Sequence, residues 1–150
     1  MIKDKNIKFY IANDHAGINI KNVVMDYLAS QNCYEIINLG TDSSDCVDYT
    51  DYAHLLAQKV SEDSKCFGIL ICGTGIGMSI TANKHKGIRA ALCHDVYTAK
   101  MARAHNDANV LCLGERVLGS GVVKSIIEAW IDEPFLEGKH RQRVDKLECN

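Results

Sequence analysis

A chain of 150 residues with 47% hydrophobic side chains fits one ordinary domain and can cover a substantial core. Seventeen Lys and Arg against nineteen Asp and Glu leave a formal charge of -2, which is not the footprint of a general nucleic-acid binder. No segment approaches a membrane span, so neither nucleic acid nor membrane is an expected partner, and any anion must be met by a local cluster of side chains.

The first residues, "MIKDKNIKFYIAND", lack the apolar stretch and small-residue cleavage site of a secretion signal, which reads as a cytoplasmic protein. From there, short β-branched apolar runs alternate with segments of helical period. The runs predict strands at Lys8 to Ala12, Glu35 to Leu39, Gly68 to Cys72, Ile88 to Leu92 and Val110 to Leu113. Ile20, Val23, Val24, Tyr27 and Leu28 follow the spacing of a helix with one buried face. Ala53, Leu56, Ala57 and Val60 repeat it, the alanine-rich stretch Asp95 to Ala104 is the next helix, and Val123, Ile126, Ile127, Trp130 and Ile131 mark another. Parallel strands need crossover connections, so this order predicts an α/β chain: a Rossmann-like three-layer sandwich, five parallel strands with helices on both faces. The charged tail after Pro134, "FLEGKHRQRVDKLECN", lies beyond the last apolar helix and reads as a partner surface or a frayed end. Residues 1–150 form a single expected domain.

Sheets of this kind bind ligands at the carboxyl ends of their strands. The loops there after strands one, three and five are "NDHAG", "CGTGIG" and "GERVLG". In the second, glycine lets backbone N–H groups approach an oxyanion, and a helix start favours the thiolate of Cys72 over the thiol. The loop lacks the third glycine of a dinucleotide fingerprint, the lysine of a Walker A loop and the arginine of a cysteine-dependent phosphatase. A free cysteine is more often a packing residue than a catalytic one, and Cys66, Cys93 and Cys112 are read that way. All seven cysteines, Cys33, Cys46, Cys149 and these four, lack disulfide or zinc spacing and read as free thiols. Asp14 is either a helix N-cap or a site residue, and His15 beside it is either surface or ligand contact. Arg103, His105, Asn106 and Asp107 in "RAHNDANVL" fit a helix C-terminus. Lys139, His140, Arg141 and Arg143 in "KHRQRV" form either a solvated charge run or the best local site for a phosphate.

Taken in order, "DHAG", "VDYTDYA", "CGTGIGMSI", "ANKHKGIRAAL", "HNDANVLCLGERV" and "GKHRQRV" resemble the ribose-5-phosphate isomerase type B family, which is closely related to the galactose-6-phosphate isomerase subunits. The resemblance covers nearly the whole chain. It implies a metal-independent aldose-ketose isomerase without organic cofactor, working as a homodimer or dimer of dimers with shared sites. It further implies Cys72 as the base that moves a proton between C2 and C1, with Gly73, Gly75 and Gly77 holding the enediolate and Thr74 beside the base. By the same resemblance His105 opens the furanose ring, Asp14, Tyr49 and Asn106 contact sugar hydroxyls, and His15, Arg116, Lys139 and Arg143 clamp the phosphate, the last two reaching a partner subunit's site. Position 76 is Ile and position 79 is Ser, which indicates the cysteine branch of the family over its glutamate branch. Lys139 stands where many members carry arginine, a point charge in place of a planar fork. Alternatives from the same residues are a hexose-6-phosphate isomerase and a sugar-phosphate-binding module without chemistry.

Overall fold

The computed structural model describes residue 2 and residues 7–148; the thiol of Cys149 and the rest of the two termini lie outside the described residues. Five parallel strands, β1 (Ile7–Asn13), β2 (Tyr34–Asn38), β3 (Cys66–Cys72), β4 (Ala90–Leu92) and β5 (Val110–Gly114), form one sheet in the order β2-β1-β3-β5-β4. The connecting helices are α1 (Ile18–Ser30), α2 (Tyr49–Ser61), α3 (Ile76–Ala82) and α4 (Val96–Asn106), followed by α5 (Ser120–Asp132) and α6 (Lys139–Val144). Among the described residues no helix is long and apolar enough to cross a membrane.

Strand order dictates which face each helix covers. Crossovers between parallel strands are right-handed, so the step from β1 to β2 and the steps from β2 to β3 and β3 to β4, which run the other way, place their helices on opposite faces. The return from β4 to β5 brings α4 back beside α1. Accordingly α1, α4 and α5 pack over one apolar cluster and α2 and α3 over another. The central strand β3 feeds both: Ile69 and Ile71 join the first cluster, Leu70 and Cys72 the second, as the two-residue period of a strand requires. Phe9, Phe67 and Trp130 fill the first with edge-on contacts, Phe67 to Trp130 at 5.7 Å and 87°. Burying a side chain such as Phe9 stabilises the fold by roughly 1.5–3 kcal/mol.

The α5 and α2 patterns hold residue for residue, and that of α1 holds at Ile20, Val24 and Leu28, with Val23 and Tyr27 half-buried against the same cluster and Lys21 added to the buried face. Strand β4 begins two residues later than its apolar run. Gly87 adopts φ 79°, Ile88 donates to the His85 carbonyl at 3.2 Å, and the Arg89 N–H goes to Asn109 Oδ1 at 2.8 Å, which uses the start of the run in a turn. The β4 edge is then closed by one side chain. Asn83 donates to the Ala90 carbonyl and accepts from the Ala90 N–H, both at 2.8 Å, standing where a sixth strand's peptide would pair. Helix α4 starts one residue after Asp95, which caps it by accepting from Thr98 N at 2.7 Å, and runs on to Asn106, where Asp107 at φ 47° ends it. Buried Arg103 seals that end through the Ala108 carbonyl at 2.7 Å and Asp107 at 2.9 Å, a structural role.

Among the described residues, the tail is neither frayed nor detached. Leu136 donates to the Ala104 carbonyl at 3.0 Å, and α6 lies against α4 with His140 and Val144 buried.

Candidate active site

Because β1, β3 and β5 are the three central strands, the loops after them are neighbours, and the chain reverses direction between β1 and β3, where open α/β sheets place their crevice. Backbone bonds tie these loops together. Asp14 N donates to the Ile71 carbonyl at 3.2 Å, Glu115 N to the Cys72 carbonyl at 2.9 Å, and Arg116 N to the Gly73 carbonyl at 3.0 Å.

Cys72 ends β3 with 5% of its surface exposed, and the Gly75 N–H donates to its sulfur at 3.1 Å. Gly75 turns at φ 77°, and an added Cβ would lie 3.0 Å from the Leu113 carbonyl, so the donor can reach the sulfur only with glycine here. Gly77 serves a different neighbour: a Cβ there would stand 2.6 Å from the Tyr49 ring, so its absence lets the tyrosine lie across the loop. Thr74 is exposed at the turn, accepting from Ile76 N at 3.3 Å, and the Arg116 guanidinium lies over Gly73, 3.5 Å from where a Cβ would stand.

Asp14 is buried and accepts from Ala16 N at 2.9 Å, but the N-cap position of α1 is Gly17, so the capping reading of Asp14 is set aside. Glu115, the first residue after β5, performs that task, accepting from Ile20 N at 3.0 Å and Asn19 Nδ2 at 2.7 Å. His15 Nδ1 accepts from Val47 N at 3.2 Å, which places the proton of the neutral ring on Nε2. The three thiols read as packing residues behave as such. Burial pushes Cys66 up to about 11, with Asp63 adding to it, pushes Cys93 up to about 11, and holds Cys112 well above the ordinary thiol range.

Asp14, His15, Tyr49, Cys72, Gly73, Thr74, Gly75, Gly77 and Arg116 therefore share one end of the sheet. His105, Asn106, Lys139 and Arg143 do not join them within one chain. Helix α4 delivers His105 and Asn106 to the start of β5, whereas Cys72 is in register with Gly114 at its end, four residues or roughly 13 Å farther along. Asn106 accepts from Arg89 Nε at 3.1 Å and lines a separate cavity of about 420 Å³ beside β4. His105 stacks face to face on His140, ring centroids 4.2 Å apart and planes 3° from parallel.

Burial lowers the pKa of His140, and the neighbouring His105, Lys139 and Arg143 lower it further. The folded tail holds the ring neutral where the unfolded chain would protonate it, so stability is lost as the pH falls from about 6.5 toward the folded value. Thermal melts between pH 7.5 and 5.5 are expected to show a falling midpoint, with a smaller fall in His140→Phe than in the parent chain.

Lys21, Asn13 and Glu115 were not singled out by any motif. Lys21 had a signal all the same, since it shares the i, i+3, i+7 spacing of the buried face with Val24 and Leu28.

The site is that of a parallel α/β protein whose buried thiol and backbone donors stand at the topological switch point. The model of the ribose/galactose isomerase family matches residues 9–147. A putative sugar phosphate isomerase, YwlF, of Bacillus subtilis is 48% identical over 142 residues, covering 94% of this chain and 95% of that protein. Ribose-5-phosphate isomerase B of Escherichia coli is 43% identical, with 89% of each chain covered. Among solved structures, ribose-5-phosphate isomerase B of Mycoplasma genitalium with bound ribulose-5-phosphate superposes with a TM-score of 0.92 at 38% identity, covering 96% of this chain and 95% of that one. The chain belongs to the ribose/galactose isomerase family.

Proposed function

We propose that the protein interconverts D-ribose 5-phosphate and D-ribulose 5-phosphate through a cis-enediolate. The observation that carries the reading is the buried Cys72 sulfur facing a backbone N–H, in a chain whose relatives are named as isomerases of this substrate. In the forward direction the Cys72 thiolate takes the C2 proton, the C2–H electron pair becomes the C1–C2 double bond, and the carbonyl electrons move onto O1. The Gly73 to Gly77 amides stabilise that oxygen. The thiol then returns the proton to C1 while O1 is protonated and the O2 proton leaves, so that C2 becomes the carbonyl. Thr74 stands by to relay the hydroxyl proton.

Asp14 and Tyr49 contact hydroxyls, while His15 and Arg116 hold the phosphate. The remaining tasks fall to a second copy of the chain. His105 at the opposite sheet end opens the furanose ring as acid and base, Asn106 binds beside it, and Lys139 and Arg143 complete the clamp. A homodimer, alone or paired, is thus the working unit, with residues 1–150 as one domain acting in the cytoplasm.

The family's description names both ribose and galactose, so a hexose phosphate is the second substrate reading. A coupled assay across ribose 5-phosphate, allose 6-phosphate and galactose 6-phosphate separates them. The expected result is the highest kcat/KM on the pentose, because the distance from clamp to base fixes chain length. A preference for either hexose overturns the pentose assignment, and saturable binding without exchange of the C2 proton into solvent would leave only a binding module.

A further inference from the structure

Lys21 is a lysine in the wrong place for a charge. It lies on the buried face of α1 with no exposed surface, yet its ammonium does not serve the core: its partners are the Thr41 carbonyl, at 2.7 Å, and the Asp42 carboxylate. Asp42 is itself on the surface, its side chain 78% exposed. Burying an ammonium is costly, and an apolar side chain of similar size in such a position is commonly neutral or stabilising. The cost therefore points away from stability and toward geometry.

The segment that Lys21 grips joins β2 to α2 and has few other footings. At its base, Thr41 also donates to the Asn13 carbonyl at 3.3 Å and accepts from Asn13 Nδ2 at 3.0 Å. Residues 42–46 are exposed and bonded mainly among themselves. At the far end Val47 N donates to His15 Nδ1, and two residues later Tyr49 opens α2 against Gly77. One loop thus fixes a side chain from the β1 end and delivers another to the β3 end.

We infer that Lys21 is a positioning residue for the anion-binding end of the site: its buried ammonium sets the 41–48 loop so that Val47 fixes the ring orientation and tautomer of His15 and Tyr49 enters beside Gly77. The inference rests on the proposed role of His15 in holding the phosphate. Lys21→Met keeps the volume, and the Thr41 carbonyl retains its Asn13 donor while Asp42 is free to be hydrated, so this variant is expected to fold.

The test combines kinetics with the ring nitrogen resonances of His15. In Lys21→Met, KM for ribose 5-phosphate and the inhibition constant of inorganic phosphate rise about tenfold while kcat stays within about threefold. The His15 resonances move from one tautomer toward a mixture. Asp42→Ala, which removes the exposed partner together with its exposed hydrogen bond from Asn38, shifts both readouts in the same direction by less, and it carries the test if Lys21→Met fails to fold. A lower melting temperature with unchanged KM, unchanged phosphate inhibition and an unchanged His15 spectrum overturns the inference and leaves Lys21 a purely structural residue. Should the parent chain fail to turn over ribose 5-phosphate, the proposed function falls, and the His15 resonances still decide whether Lys21 orients the ring.

Discussion

Cys72→Ala is expected to lower kcat for ribose 5-phosphate by about 10²–10⁴-fold, the usual contribution of a positioned acid-base group, with KM changed little. The size follows from what the substitution removes and what it leaves. Alanine deletes the sulfur that accepts from Gly75 N, but the donors of the glycine loop, Arg116 over Gly73, and His15 all stay in place, and these are the groups proposed to bind substrate. The fold should tolerate the change, since a side chain at the end of β3 loses one atom and the loop is still tied by Glu115 and Arg116. Cys72→Ser separates base strength from hydrogen bonding. A serine oxygen can accept from the same N–H, but a hydroxyl is a far weaker proton acceptor near neutrality than a thiolate, so the expected rate is close to that of alanine. Loss of C2 proton exchange with solvent, measured by NMR in deuterated water, should parallel the loss of turnover. Normal turnover by Cys72→Ala would falsify the assignment of the base.

Sequence patterns carried the architecture further than they carried the site. The five strands and the apolar faces of α2 and α5 were legible because each is buried by local periodicity, and the crevice followed from the rule that ligands sit at strand carboxyl ends. The start of β4 was not legible, because Ile88 and Arg89 have strand-like neighbours but lose their N–H groups to a turn and to Asn109. The face of α1 was legible in Ile20, Val24 and Leu28, with Val23 and Tyr27 packed at its margin, but Lys21 was not: hydropathy counts it as polar, and only the loop folded over it makes burial possible. Asp14 had two readings that spacing left open, and Gly17 at the cap removes one of them. The largest gap concerned distance. The predicted elements already put Cys72 at a strand's end and His105 just before a strand's start, but the resemblance assigns both to one site and their spacing does not show how far apart one chain holds them. Only strand direction, with β3 and β5 parallel and Cys72 opposite Gly114, separates them.

That separation yields the second large effect, which concerns two inactive proteins that become active when mixed. On the proposed roles, Cys72→Ala and His105→Ala should each lose nearly all turnover on furanose ribose 5-phosphate, one for want of the base and the other for want of the ring-opening group. If each site takes Cys72 from one chain and His105 from another, subunit exchange creates mixed dimers with one site carrying both defects and one site carrying neither. Equal amounts exchanged to equilibrium make half of the dimers mixed, and half of their sites intact, so activity should recover to about a quarter of the parent value. The fraction is the same for a dimer of dimers, provided that each site draws on two chains. Recovery should follow the kinetics of exchange, measured by mass spectrometry on chains of different isotopic mass, and should be absent at the moment of mixing. The stacked His140 supplies an internal control, because it holds the His105 ring from its own chain. His140→Ala mixed with Cys72→Ala should therefore give partial recovery as well, and His140→Ala mixed with His105→Ala none beyond the mean of the two. A site assembled within one chain predicts no recovery in any mixture, since the roughly 13 Å of β5 between the two groups would then have to be closed by refolding of α4.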